Sequence, residues 1–333
     1  MVNIPEVGTE GQVNANGARA VGRLAPSPTG AQHIGNARTY LIAWLSIRSR
    51  GGKIVLRVED IDSPRVKPGA ATQLCEDLLW LGLDWDEGPI VQTERISLYE
   101  DALRCLQEQE LVYPCTCTRS DVERAASAPH LDHEGPAYPG TCAGNMVADA
   151  AHLKDQRFAW RFRVKRRSPQ FIDGFRGQTH IHLGQSSGDF VVWKSAGTPA
   201  YQLAVVVDDA ALGITEVVRG DDLIRSTPPQ LLLYEALGLQ PPEFVHVPLV
   251  VGPDGRRLAK RHGDTRLVSL RHAGVTPEAL IGLLAWSCGW MSEIKPIAAR
   301  DLIGLYCLNA IPSGPFVLRP ELLEEVGFHS MNG

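Results

Sequence analysis

The 333-residue sequence predicts an α/β fold with a doubly wound parallel sheet, on three observations. The apolar run Val21–Ala25 is followed by a turn rich in proline and glycine and then by a helical pattern from Ile34 to about Ser49. The β-rich run Ile54–Val58 completes a strand–helix–strand unit, which is the unit of a parallel sheet. The continuous apolar run Leu203–Val207 predicts a further, buried parallel strand.

The turn after the first strand is suited to an anionic ligand. Pro26, Pro28 and Gly30 prevent a helix or strand from continuing, so the chain must turn before the helix begins. The N-terminus of that helix carries unpaired N–H groups and the positive end of the helix dipole at the carboxyl edge of the sheet. His33 and Asn36 add side-chain donors. Taken alone, a turn of this kind before a helix favours an ordinary βα loop, with a phosphate site as the alternative.

Acidic residues follow the second strand, at the edge where open α/β sheets bind ligands. They are Glu59, Asp60 and Asp62. Without further context the pattern favours a solvated acidic turn, with a ligand-binding carboxylate as the alternative.

Three of the seven cysteines lie in one loop-rich stretch. Cys115 and Cys117 flank a single residue, and Cys142 follows after 24 more. Because zinc prefers four tetrahedral ligands and thiolates are common among them, the stretch predicts a structural zinc site. By chemistry alone the fourth ligand would be His130 or His133, since imidazole is a commoner ligand than phenolate. Free thiols without a metal are the alternative.

The remaining elements are predicted from hydrophobic periodicity and turn residues. Residues 158–165 alternate apolar and basic side chains, as expected for a strand or hairpin arm. Asp208 and Asp209 mark the end of the apolar run described above. The other predictions are helices over Gly69–Leu81 and Ser97–Gln109, a strand over Thr215–Val218, a helix from about Thr227 to Leu237, a strand over Val245–Val251, and short helices over Pro277–Trp290 and Ala298–Asn309.

Composition limits the class of protein. A hydrophobic content of 44% and a charged content of 21% are ordinary for a soluble globular protein. The net charge of −5 gives no overall basic signal, so any surface that binds RNA must be local. No apolar run approaches the length of about 18 residues that a membrane span needs, and the N-terminus lacks the pattern of a signal peptide. We expect a cytoplasmic monomer with no membrane partner and with a flexible tail over residues 1–19.

Two motifs resemble the signatures of class I aminoacyl-tRNA synthetases, in particular the glutamyl branch. The first is PSPTG followed by HIGN and ARTYL, with Asn36 at the place of the family's last histidine. The second is the basic loop Arg257–Arg261, in which Lys260 matches the family's catalytic lysine and Ala259 replaces a serine. The stretch from AYQLAVVVDD to VRGDDLIRSTPPQLLLYEALG is similar to the same branch. The resemblance implies a Rossmann-like catalytic domain that binds ATP with Mg²⁺, L-glutamate and tRNA.

The resemblance also implies roles for single residues. His33 and Lys260 would be catalytic, and Gly35 and Asn36 would join them in binding ATP. The implied glutamate-binding residues are Arg23, Leu24, Ala25, Pro26, Ser27, Glu59, Tyr201 and Arg219. In this set Glu59 would hold the ammonium group and Arg219 the side-chain carboxylate. The pattern C-x-C followed by Y-x-x-x-C resembles the zinc insertion of glutamyl-queuosine tRNA(Asp) synthetases, which implies the ligands Cys115, Cys117, Tyr138 and Cys142.

The expected organisation favours that branch. It comprises the tail, a first catalytic half over 20–112, an insertion over 113–190, a second half over 191–265 and a short helical region over 266–333. This leaves no room for the helical anticodon-binding domain of full glutamyl-tRNA synthetases. Glutamyl-queuosine synthetases attach glutamate to queuosine in the anticodon of tRNA(Asp). The alternatives are a shortened glutamyl-tRNA synthetase that charges tRNA(Glu), and a non-catalytic synthetase-like module that binds RNA.

Overall fold

The computed structural model describes residues 20–61, 66–125, 138–153, 156–165, 169–181, 188–258 and 264–328. The strands are β1 (Val21–Leu24), β2 (Lys53–Val58), β3 (Glu87–Val91), β4 (Val112–Cys115), β5 (Ala159–Phe162), β6 (Gln170–Asp173), β7 (Gly177–His180), β8 (Phe190–Trp193), β9 (Glu216–Gly220), β10 (Glu243–Val247), β11 (Val250–Val251) and β12 (Phe316–Val317). The α-helices are α1 (Ile34–Arg48), α2 (Ala70–Trp80), α3 (Ile96–Glu108), α4 (Arg119–Ala125), α5 (Tyr201–Ala211), α6 (Thr227–Leu237), α7 (Leu267–His272), α8 (Pro277–Ser287) and α9 (Pro320–Glu325). Within these ranges, no helix combines the length and apolar character that crossing a bilayer requires. The predicted tail lies outside the described residues, as do Asp62, His130, His133, Ala259, Lys260 and Arg261.

A five-stranded parallel sheet, in the order β10-β9-β1-β2-β3, confirms the predicted α/β fold. β1 lies between β2 and β9, with Val21 opposite Lys53 and Gly22 opposite Glu216. From β1 the chain order runs outward through β2 and β3 on one side and through β9 and β10 on the other. The order therefore reverses beside β1, and open sheets of this kind bind ligands outside the carboxyl ends of the strands at that point.

Helix α1 packs between the sheet and the C-terminal part of the chain. Gly22 in β1 permits close packing, because a Cβ there would come within 2.4 Å of Ile47 Cγ1 in α1. On the other side, the buried Arg38 donates to the Pro248 carbonyl at 2.8 Å and to Ser287 Oγ at 2.9 Å. These contacts fix the direction of α1, and its N-terminus meets the carboxyl edge of the sheet.

The prediction of a buried strand over Leu203–Val207 was wrong, because these residues lie in helix α5. Each of them is at most 3% exposed. A helix that is surrounded by protein has no polar face, so its sequence loses the helical period and cannot be told from a buried strand. Asp208 and Asp209 are therefore buried helical residues rather than the end of a strand.

Two other boundaries differ from the predictions. The strand predicted over Val245–Val251 is two strands, β10 and β11, and Pro248 lies in the break because proline has no N–H to donate. The helix predicted over Pro277–Trp290 ends at Ser287. Gly289, with φ of +75°, follows this end, as is common after helices.

The short helix predicted over Ala298–Asn309 was also wrong. The structure has two separate 3-10 turns there, Ala299–Leu302 and Leu308–Ala310. Gly304 lies between them, and glycine is a poor helix former because ordering its backbone costs more entropy than for other residues.

Two antiparallel units lie between α3 and α5 in the chain. β4, β5 and β8 form a three-stranded sheet, in which β5 confirms the strand predicted within 158–165. β6 and β7 form a hairpin that packs against β10. Its Gly174 N–H donates to the Phe244 carbonyl at 2.8 Å, and a Cβ on Gly174 would come within 2.8 Å of Val245 Cγ2. The division of the chain at residues 113 and 190 stays a prediction.

Candidate active site

The carboxyl ends of β1 and β2 bring together six of the eight residues implied for glutamate binding. The residues that end β1 and follow it are Arg23, Leu24, Ala25, Pro26 and Ser27. The Glu59 N–H donates to the Pro26 carbonyl at 3.0 Å, which ties the two strand ends to each other. Leu24 is buried in the apolar core, so only its backbone is available to a ligand. The Ser27 side chain is 3.0 Å from Thr29 Oγ1.

Arg57, near the end of β2, is a fully buried arginine that the sequence analysis missed. Its Nη1 donates to Asp209 Oδ1 at 2.5 Å and its Nη2 donates to Glu59 Oε1 at 2.9 Å. Asp209 Oδ1 also lies 3.8 Å from Arg23 Nε. Burial raises the pKa of Glu59, and the guanidinium of Arg57 opposes that effect. The sequence did contain a signal for this network. Arg57 lies within the apolar run Ile54–Val58, and Asp208 and Asp209 directly follow the apolar run Leu203–Val207.

Asp208, beside Asp209 in α5, is held by a second set of donors. Gln92 Nε2 donates to it at 2.8 Å, Arg95 Nε at 2.7 Å and the Tyr99 hydroxyl at 2.8 Å. These donors satisfy the buried carboxylate independently of Arg57, whose Nε is 3.8 Å away. They also connect α5 to the start of α3.

Arg219 lies near the end of β9, beside the point where the strand order reverses, and it is only 4% exposed. Its Nε donates to His246 Nε2 at 2.9 Å, its Nη2 to Thr227 Oγ1 at 2.9 Å and its Nη1 to the Tyr201 hydroxyl at 3.5 Å. In the described part of the chain no carboxylate lies within ion-pair distance of this guanidinium. A buried charge is costly unless it is paired, so the site favours an anionic ligand.

Tyr201 connects Arg219 to the rest of the site. Its hydroxyl lies within electrostatic reach of Arg219, Glu59 and Arg23. Arg219, which has no carboxylate partner among the described residues, therefore lies near the Glu59 carboxylate at the same edge of the sheet. Such an arrangement suits a ligand that carries both a carboxylate and an ammonium group.

His33 caps the N-terminus of α1 with its side chain. Its Nδ1 accepts the Gly35 N–H at 3.0 Å, and Asn36 Oδ1 accepts the His33 N–H at 3.2 Å. Burial and the nearby positive charge of Arg257 lower the pKa of His33 below its ordinary value. Neutral His33 therefore keeps its remaining proton on Nε2, where the ring can donate to an anion. Asn36 accepts in this cap through Oδ1, and its predicted role as a ligand donor through Nδ2 stays a prediction.

The segment that follows the second signature meets the first signature. Ile34 N–H donates to the Thr265 carbonyl at 3.0 Å, and Leu267 N–H donates to the Gln32 carbonyl at 2.9 Å. On the other side, Arg257 donates to Asp222, which follows β9. Lys260 itself lies outside the described residues. After it in the chain, Arg266 pairs with His33 at the start of α1, and before it Arg257 is near enough to lower the pKa of His33.

Replacing Gly35 with alanine should lower the turnover of the site without lowering stability much. The new Cβ would come within 2.9 Å of His33 Cε1 and 3.0 Å of Nδ1, so the ring must shift. A misplacement of about 1 Å can cost about 100-fold in rate, whereas alanine within a helix is otherwise favourable. The measurement is the rate of ATP–pyrophosphate exchange with glutamate, the reaction that the resemblance to class I synthetases implies, together with the unfolding temperature. Gly30→Ala is the matched control, because no atom lies within 4 Å of its new Cβ.

Cys115, Cys117 and Cys142 come together as the sequence predicted, with their Sγ atoms all within 4.8 Å of one another. Tyr138 lies at the same place, with its hydroxyl 3.4 Å from Cys115 Sγ and 3.8 Å from Cys117 Sγ. Thiolates at about 2.3 Å from a tetrahedral zinc ion are about 3.8 Å apart, and Cys117 and Cys142 are separated by 3.6 Å. The four side chains therefore fit one zinc ion. Arg161 Nε donates to Cys115 Sγ at 3.2 Å.

Comparisons with known proteins agree with this geometry. Residues 20–303 match the family model for tRNA synthetases class I (E and Q), catalytic domain. The chain is 54% identical over 281 residues to a glutamyl-Q tRNA(Asp) synthetase of Rhodopirellula baltica, covering 81% of this chain and 85% of that protein. It is 47% identical over 313 residues to a protein of the same description from Symbiobacterium thermophilum, covering 91% and 97%. A glutamate-tRNA synthetase structure from Elizabethkingia anophelis superposes with a TM-score of 0.79 at 26% identity, covering 92% of this chain and 69% of that chain.

Proposed function

Since the chain belongs to the family of class I tRNA synthetases for glutamate and glutamine, we propose that it activates L-glutamate with ATP and transfers the glutamyl group to queuosine in the anticodon of tRNA(Asp). As a member of this family the protein is a ligase. The buried guanidinium of Arg219, which has no carboxylate partner among the described residues, is the observation that carries the assignment of glutamate. ATP, glutamate and tRNA are cytoplasmic molecules, so we also propose a cytoplasmic location.

The amino acid is held by charges of opposite sign at two strand ends. Arg219 binds the side-chain carboxylate of glutamate, and Glu59 binds the ammonium group. The Tyr201 hydroxyl accepts from Arg219 Nη1 at 3.5 Å and is within electrostatic reach of Glu59, and Arg23 in β1 adds a positive charge. This arrangement leaves the α-carboxylate directed toward the turn that precedes α1, where the nucleotide binds.

Adenylate formation needs no nucleophile from the protein. An oxygen of the α-carboxylate attacks the α-phosphorus of ATP, and pyrophosphate leaves with the bond to the α-phosphorus broken. The chain stabilises negative charge on the phosphates through His33 Nε2–H, the N-terminus of α1 and Lys260. Mg²⁺ bound with ATP supplies further charge neutralisation. A hydroxyl of the acceptor nucleoside then takes the glutamyl group, and AMP leaves.

The acceptor is tested with labelled glutamate, ATP and three purified RNAs. These are tRNA(Asp) that carries queuosine, the same tRNA without queuosine, and tRNA(Glu). Label on the first RNA alone is the expected result. Label on tRNA(Glu) would overturn the acceptor and indicate an ordinary glutamyl-tRNA synthetase. If ATP–pyrophosphate exchange occurs but no RNA is labelled, the activity is glutamate activation alone. If no exchange occurs, the result favours the non-catalytic synthetase-like module that binds RNA.

We also propose that Cys115, Cys117, Tyr138 and Cys142 hold one structural zinc ion. The cluster joins β4 to the segment around Cys142, in a region with few buried apolar side chains of its own. A bound ion would there replace the packing that a larger core supplies elsewhere. No reacting group is assigned to this ion.

Cys117→Ser should therefore lower the zinc content from about one ion per chain to well below that value and lower the unfolding temperature. Elemental analysis of the purified protein and thermal unfolding measure the two effects. Cys307→Ser is the control, because Cys307 is exposed and lies far from the cluster in the sequence. Equal zinc content in the two variants would contradict the ligand set.

A further inference from the structure

The guanidinium of Arg219 is held along one edge by two buried acceptors. Nε donates to His246 and Nη2 to Thr227, each at 2.9 Å, and both partners are completely buried. These two donors lie on the same side of the planar fork. The other edge, formed by Nη1 and Nη2, carries only the long contact of Nη1 with the Tyr201 hydroxyl at 3.5 Å and so remains for a carboxylate. The acceptor at Nε therefore decides in which direction the fork points.

His246 can accept from Arg219 only in one tautomer. Its Nε2 must be free of a proton, so the proton of the neutral ring must be on Nδ1. Asp173 Oδ2 lies 2.6 Å from Nδ1 and accepts that proton's hydrogen bond. The same carboxylate accepts the backbone N–H groups of Phe175 at 3.0 Å and Arg176 at 2.8 Å through Oδ1.

The charges around His246 keep this arrangement. Burial lowers the pKa of His246, and the positive charge of Arg219 lowers it further, against the opposing effects of Asp173 and Asp221. The pKa of Asp173 also lies below its ordinary value, because hydrogen bonds from His246 and from the Arg176 N–H outweigh its burial. The ring is thus neutral, and Asp173 is an anionic acceptor.

We propose that Asp173 and His246 are positioning residues that fix the orientation of the Arg219 guanidinium and thereby the selectivity for a side-chain carboxylate. This inference rests on the proposed function and deepens it. Asp173 ends strand β6, so the hairpin outside the parallel sheet supplies part of the amino-acid site. Arg176 in the same hairpin turn donates to Asp221 at 2.5 Å, which fastens the hairpin beside the end of β9.

Asp173→Asn is the sharpest test, because it keeps the shape of the side chain. The amide oxygen of the new side chain can still accept the Phe175 and Arg176 N–H groups, which places its NH₂ group against His246 Nδ1. His246 must then accept at Nδ1 and carry its proton on Nε2, so two N–H donors face each other at Arg219. We expect the KM for glutamate to rise about 10- to 100-fold, with the KM for ATP unchanged. The preference for glutamate over glutamine should fall by a similar factor.

His246→Gln separates positioning from a merely structural role. A glutamine can turn its amide oxygen to Arg219 whatever stands at residue 173, so Asp173→Asn should add less than about twofold to the glutamate KM in that background. Phe171→Leu is the control for packing, since the Phe171 ring contacts the His246 ring at 6.4 Å between centroids. It should lower the unfolding temperature and leave the glutamate KM and the glutamate preference unchanged.

Two measurements distinguish the possible failures. ATP–pyrophosphate exchange reports the activity, and calorimetric titration with glutamate reports binding even where exchange is slow. A folded Asp173→Asn variant with wild-type affinity for glutamate overturns the inference. It is also overturned if the effects of Asp173→Asn and His246→Gln on the glutamate KM multiply in the double variant. Wild-type protein that binds glutamate without exchange overturns the proposed function while the binding series still tests the inference. Wild-type protein that neither exchanges nor binds glutamate overturns both.

Discussion

Arg219→Met should lower kcat/KM for glutamate by about 100- to 1000-fold in ATP–pyrophosphate exchange. Truncating one member of a buried, hydrogen-bonded charge pair costs about 2–5 kcal/mol of binding free energy, and each 1.4 kcal/mol changes an equilibrium or rate constant by about tenfold. The methionine leaves the carboxylate of bound glutamate without its donors in a site that excludes water. Glutamine, which carries no charge at that position, should lose much less, so the selectivity ratio should fall with the rate.

The stability of the unliganded protein should respond differently from its activity. Removing Arg219 loses hydrogen bonds to His246 and Thr227, and it also removes a buried cation that has no carboxylate partner among the described residues. These effects oppose each other. Arg219→Lys is the matched variant, since it keeps the charge but not the planar fork, and it should recover only part of the activity. Unchanged glutamate selectivity in Arg219→Met would contradict the assignment of the carboxylate to this residue.

The parts of the fold that the sequence predicted are those with local chemical causes. The turn before α1 follows from Pro26, Pro28 and Gly30, and α1 begins at Ile34 as expected. The helix α6 was predicted with its observed bounds, because Pro228 and Pro229 mark its first turn. In contrast, α5 was assigned as a strand, since helices and strands that are buried on all sides have the same apolar sequence.

The candidate site divides in the same way. The resemblance to the glutamyl branch supplied Glu59 and Arg219 as single positions. The resemblance supplied neither the acceptors that orient Arg219 nor the carboxylates around Arg57. These side chains are far apart in the sequence and belong to no common motif, so only the folded structure brings them together. His246 was part of a predicted strand and carried no sign of its Asp173 partner, which lies 73 residues away. Long-range pairing of buried polar groups is thus the information that only the structure provides.

Arg57→Met should lower the free energy of unfolding by about 3–5 kcal/mol, the usual cost of breaking a buried ion pair by removing one partner. Arg57 is completely buried and donates to Asp209 and Glu59. Without it, the ion-pair partner that Asp209 keeps within the described ranges is Arg23, whose Nε is 3.8 Å away. The shift of the urea unfolding midpoint measures the loss. Arg48→Met is the matched control, because Arg48 also pairs with two carboxylates, Asp84 and Asp86, but these are exposed and worth about 0–1 kcal/mol.

The pH dependence of Arg57→Met separates the role of Glu59 in binding from its role in stability. Burial already raises the pKa of Glu59, and loss of Arg57 removes the charge that opposes this rise. The folded variant then binds a proton that the unfolded chain releases, so its stability should fall as the pH rises from the ordinary carboxyl pKa of 4.5 through the raised folded value. Over the same pH range Glu59 becomes ionised and can again bind the ammonium group, so the affinity for glutamate should rise with pH. Opposite pH slopes for stability and affinity are expected, and parallel slopes would exclude Glu59 as the partner of the ammonium group.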